Sequence, residues 1–135
     1  MMAGTTGAWR GLARSMALGA AYDLAFGVLI LFFPARGADW FGLALPADLV
    51  YLRLNGVFLL MLAGLYLLPA LDPRRYAGIV VVAVAGRFLG FLYLGGAWLA
   101  GRPFTFLALA LGDLFFCLLH GLLLGLARRS NRGKC

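Results

Sequence analysis

Phe104–Leu126, FTFLALALGDLFFCLLHGLLLGL, is the stretch on which the reading of this chain turns. It is long and apolar enough to cross a hydrocarbon core near 30 Å thick, yet it carries Asp113 and His120. Their spacing of seven is almost two helical turns, so both side chains leave by one stripe of the helix. Lipid offers neither group a partner, so both must turn inward, toward other helices.

Three further apolar runs supply those helices. The expected spans are Met16–Phe33, Leu49–Leu68, Ala77–Leu99 and Phe104–Leu126, with Pro34 stopping the first. Pro69 and the Leu71-Asp72-Pro73-Arg74-Arg75 turn separate the second from the third. Gly101-Arg102-Pro103 makes a short hairpin into the fourth. The longest connection contains Trp40, Phe41, Leu43 and Leu45, and residues 38–45 are expected to lie in the membrane interface. The expected fold is all-α, one domain over residues 1–135, a membrane-embedded antiparallel four-helix bundle. The first apolar run follows a basic start but meets Asp23 and has no small-residue cleavage site after it. It reads as an uncleaved helix.

Composition agrees. The chain is 64% hydrophobic and 13% charged, with no Glu and one Lys, Lys134. The net charge of +7 is therefore almost all arginine, which could suggest nucleic acid. The arginines instead fall in short clusters between apolar runs, which excludes a continuous basic stripe. Arg10, Arg14, Arg74, Arg75, Arg128, Arg129, Arg132 and Lys134 lie on one side, eight in all; Arg36 and Arg102 lie on the other. That bias predicts an inner-membrane, multi-pass protein with both termini cytoplasmic, Trp40 and Trp98 in the outer belt and Trp9 in the inner one. Cys117 and Cys135 have no metal-type spacing and fall at different depths, so neither a metal site nor an intrachain disulfide is expected.

Helix rise then assigns depths. From the basic side, Asp23 and His120 fall at roughly 10 Å, Arg87 near 15 Å, Asp113 near 20 Å, and Asn55 and Arg53 at about 22–25 Å. These six residues form the candidate ligand-binding or polar cluster. Asp23 is expected to bond His120, and Arg87 to pair with Asp113. Arg53 is expected either to snorkel outward or to reach down to Asp113, and it cannot share a cluster with Asn55, two residues away. Counted with Arg53, two carboxylates meet two arginines, and the set is neutral. Gly19, Asp23 and Gly27 share a stripe of the first helix, and small-xxx-small pairs at Gly86 and Gly90 and at Gly121 and Gly125 likewise mark close helix approach. No phosphate loop, nucleophile elbow or helical zinc motif is present.

Phe33-Pro34, Gly42-Leu43, Arg53 before Gly56, and Gly86-Arg87 together give the chain a layout that resembles the DoxX-like group of small bacterial four-helix membrane proteins. The resemblance implies an inner-membrane bundle, in some members linked to quinone or thiol redox systems. It carries over no catalytic residue.

Three functions fit this pattern. The first is a binding or accessory module that holds an apolar ligand with one polar end, of lipid or quinone type, around the polar cluster. The second is a membrane enzyme, isomerase-like, in which Asp23, Asp113 and His120 move protons on a lipidic substrate. The third is a structural subunit of a homo-oligomer or membrane complex, its charges fixing helix register only. Membrane lipids are the expected surroundings and nucleic acid is not a partner. No cofactor is expected, a quinone or a haem on His120 being the alternatives. The chain has no second His for haem.

Overall fold

The computed structural model describes residues 7–132, apart from the side chain of Arg132. Lys134 and Cys135 lie outside the described residues. Five helices follow in order: α1 (Gly7–Phe32), α2 (Pro34–Phe41), α3 (Val50–Leu71), α4 (Ala77–Leu99) and α5 (Phe104–Arg132). All but α2 are long and apolar enough to cross a membrane; at the usual rise they run about 33 to 44 Å. The protein is an all-α, multi-pass membrane bundle.

The breaks between helices have local causes. A residue before proline is driven out of the helical region, and Phe33 has φ −131° and ψ 49°. Pro34 then opens α2, where its missing N–H is no loss. Pro34 therefore stops the first helix, as expected, and also opens the next, so the short segment begins earlier than residue 38. The ends of α2 and α4 share one device. Gly42 (φ 63°) and Gly101 (φ 94°) adopt the left-handed conformation. Beyond them Leu43 N–H reaches the Ala38 carbonyl (2.9 Å) and Arg102 N–H the Ala97 carbonyl (3.1 Å). These are Schellman closures, which satisfy carbonyls the helix leaves open.

Three expected boundaries shift, α5 running on to Arg132 where its span was expected to end at Leu126. α1 starts at Gly7, not Met16, and contains Arg10 and Arg14. α3 runs through Pro69 to Leu71, because a proline this near the end removes one backbone bond while Asp72 N–H still closes on the Leu68 carbonyl (3.0 Å). The Asp72 carboxylate then accepts the Arg75 N–H (3.1 Å) and shapes the turn into α4.

Consecutive spans run antiparallel, but packing does not follow chain order. α1 lies along α3, α4 along α5, and α1 against α5, whereas α3 and α4 barely touch. Around the bundle the order is α3, α1, α5, α4, with a seam between α3 and α4. The tightest core is at the arginine-rich end and includes Leu12, Met16, Val80, Leu124 and Ala127. Trp9 is part of it, 3% exposed, donating to Asn131 Oδ1 (3.4 Å) beneath the Arg74 guanidinium. It is therefore a core residue and not a member of an inner aromatic belt. Trp40 and Tyr51 are exposed at the opposite end. Large apolar side chains such as Leu18, Val82, Leu89 and Leu122 cover the outer surface, the inversion expected when lipid is the solvent.

Candidate functional site

On α1, Ser15, Gly19, Asp23 and Gly27 recur every four residues and all are buried. The stripe alternates space with polarity. At Gly27 and Gly56, α1 and α3 meet almost backbone to backbone: a Cβ at Gly56 would stand 3.1 Å from the Gly27 carbonyl. That approach brings α3 close and presents Asp23, 1% exposed, to the middle of the bundle.

Arg87 of α4 answers it. Its Nη2 donates to Asp23 Oδ1 (2.6 Å) and its Nη1 to Asp113 Oδ1 (2.7 Å). One guanidinium thus holds two carboxylates from two other helices, through short charge-assisted bonds. Rings line the cation, with centroids 5.3 Å (Tyr22), 5.8 Å (Tyr66) and 5.1 Å (Phe116) from Arg87 Cζ. Such faces favour a desolvated guanidinium. Gly90, nearly one turn beyond Arg87, is required by the same geometry, because a Cβ there would strike the Asp113 carboxylate.

His120 is a separate locus. It is fully buried, and its Nε2 lies 3.0 Å from the Ser15 carbonyl. A carbonyl can only accept, so Nε2 carries the hydrogen and Nδ1 is the bare acceptor. Nδ1 is buried without a partner. Gly19 makes room for the ring, since a Cβ there would stand 3.2 Å from His120 Cε1. Phe116 packs against the imidazole in a tilted arrangement, centroids 5.6 Å apart, and also faces Arg87, so it stands between the two loci.

Of the six candidate residues, then, Asp23, Arg87 and Asp113 come together. The expected Asp23–His120 bond is not formed: Asp23 takes Arg87, a full charge, and the imidazole takes a backbone carbonyl. Arg53 and Asn55 are exposed and reach no member of the cluster. The α3 face near them is occupied by the Gly56–Gly27 approach, which admits no long side chain, and they leave to either side of it. The neutral count made with Arg53 therefore fails. The cluster has two carboxylates and one guanidinium.

Sequence reasoning missed Tyr22, Tyr66 and Phe116. Tyr22 carried a usable signal, as a polar tip well inside a span; Tyr66 stood two residues from the expected end of its span, where a tyrosine is ordinary, and nothing distinguished Phe116 from its apolar neighbours.

The seam between α3 and α4 opens onto this cluster as a cleft of about 250 Å³. Leu59, Leu62, Leu65 and Val82 are among its walls, and Asp23, Arg87 and Asp113 line it together with Tyr66. Asp113 is its more open carboxylate, the side chain 15% exposed against 1% for Asp23. Asp23 Oδ2 and Arg87 Nε are buried without partners. A second hollow of about 140 Å³ lies under α2, among Phe26, Ile30, Phe41 and Leu109, and no ionisable side chain lines it. Among the described residues no three His, Cys, Asp or Glu side chains gather as metal ligands. Comparison with protein-family profiles, with curated proteins and with solved structures gives no match to this chain.

Proposed function

We propose that this protein is a membrane-embedded binding or accessory module that holds an amphiphile of lipid or quinone type in the α3–α4 cleft. The observation that carries this reading is the cleft itself: apolar walls at the seam where two spans fail to pack, and a charged floor in mid-membrane. A tail would lie along Leu59, Leu62 and Val82, and a head would sit at the ion cluster, the usual division of labour in such pockets. A cluster serving only as a register lock would be sealed on every side by packed side chains.

The arginine bias supports an inner-membrane location with both termini cytoplasmic, and Arg10, Arg14, Arg74, Arg75, Arg128 and Arg129 lie at one end of the bundle. The resemblance to the DoxX-like group is compatible with the same location. Haem gains no support, because the Nε2 of the single His already bonds a backbone carbonyl. The unpartnered Asp23 Oδ2 favours one second reading, proton transfer on a lipidic substrate seated in the same cleft.

The test is the lipid that accompanies the protein into nanodiscs. Val82→Trp fills the cleft from its lipid-facing wall and touches no member of the cluster. The wild type is expected to retain a defined amphiphile through purification, and Val82→Trp to lose most of it while keeping its helical content. An identical extract from both proteins would place any bound lipid elsewhere and overturn the binding reading.

A further inference from the structure

The chemistry of the cleft floor narrows what head group it can take. Two carboxylates face one guanidinium, so with both ionised the floor carries a formal charge of −1. Tyr66 is the one other ionisable side chain lining the cleft, and its phenol adds no positive charge. Arg87 meets the two carboxylates through Nη1 and Nη2, and its Nε–H is buried without a partner. Asp23 Oδ2 has no partner, and the second oxygen of Asp113 lies against Gly90, in the place a Cβ would take. The floor therefore keeps both donor and acceptor capacity, and its formal charge is what selects among heads. Burying uncompensated charge in hydrocarbon is costly, so the floor favours a ligand that brings positive charge.

We propose that the cleft is a site for an amphiphile with a protonated amine head, its ammonium donating to the carboxylates of Asp113 and Asp23. The inference rests on the cleft-binding reading and adds the sign and donor character of the head. A hydroxyl head can donate but leaves the charge uncompensated. A carbonyl head could accept from Arg87 Nε–H but likewise leaves the charge uncompensated. An anionic head meets like charge in a low dielectric, where repulsion is strongest. The expected order is therefore amine, then alcohol, with anions excluded.

The experiment uses the full chain in nanodiscs and three photoreactive alkyl probes of equal chain length, bearing an amine, a hydroxyl or a sulfonate. Labelling sites are read by mass spectrometry. The amine is expected to label the Leu59–Leu65 wall of α3 at concentrations about tenfold below the hydroxyl, the scale of one charge-assisted bond over a neutral one. The sulfonate should leave that wall unlabelled. Asp113→Asn keeps an acceptor for Arg87 and balances the charge, so amine and hydroxyl should then label alike. The ranking on the unaltered protein decides the matter even where that variant folds poorly. Equal labelling by all three probes, or preference for the sulfonate, overturns the amine site and leaves the cleft reading standing. Absence of labelling on this wall by every probe overturns both.

Discussion

Asp113 and His120 leave α5 by the same stripe, seven residues apart, and meet opposite ends. Asp113 is ion-paired, linked through Arg87 to Asp23 on a third helix, and open to a cleft. His120 is sealed, its one formed bond running to a backbone carbonyl of α1, with Phe116 closing it off from the ions. The difference follows from charge. A carboxylate in a span must find a cation or a lipid-excluded polar cavity, whereas an imidazole can be buried on a single carbonyl acceptor. The first draws three helices toward one point and leaves unfilled polar capacity there. The second fastens two helices and leaves nothing accessible.

The largest effect that would sharpen this contrast is expected from Arg87→Leu. It strands two carboxylates instead of one, and breaking a buried pair from one side typically costs about 3–5 kcal/mol. The variant should fail to fold or unfold at much lower denaturant in micelles. Asp113→Leu should be milder, because Arg87 and Asp23 remain as a balanced pair. Equal damage from the two would mean that Asp23 does not share the guanidinium.

Gly90→Leu comes next. Its side chain would have to displace the Asp113 carboxylate from Arg87, and overpacking of this kind costs about 1–3 kcal/mol. A lowered melting temperature in detergent is expected. An unchanged one would show that α4 does not present this face to α5.

The smallest effect belongs to His120→Leu. It removes a single hydrogen bond, worth about 1 kcal/mol, and an Nδ1 that had no partner to lose. Urea titration should show a modest shift, with lipid retention in the cleft unaffected. Loss of bound lipid in His120→Leu would join the two loci and break the contrast.

The expected order of spans, turns and depths came from residues whose meaning is local. Apolar run length, the Pro34 break and the Gly101 turn each act within a few residues. Depth along the membrane normal is also nearly local, and it correctly put Arg87 close to Asp113. Azimuth is not local. Asp23 looked level with His120, but which neighbour it meets depends on how Gly27 and Gly56 bring α1 against α3. Arg53 and Asn55 were misassigned for the same reason. The start of α1 was set too late because hydropathy senses lipid rather than helix, and Arg10 and Arg14 stay helical beyond the apolar run. The α3–α4 seam was not legible at all, since it is a property of packing between elements that are neighbours in the chain.

The shared arginine is tested most directly by removing its partners in combination and measuring unfolding free energy in one detergent. With Arg87→Leu and Asp113→Leu together, Asp23 remains buried and unpaired, so stability should stay well below that of the wild type. Adding Asp23→Leu removes the last charge, and replacing a buried ionic set by apolar residues of similar size is often neutral or stabilising. The triple variant should therefore recover most of the loss. Full recovery already in the Arg87–Asp113 double variant, with no further gain from Asp23→Leu, would contradict a three-membered cluster and leave a simple pair.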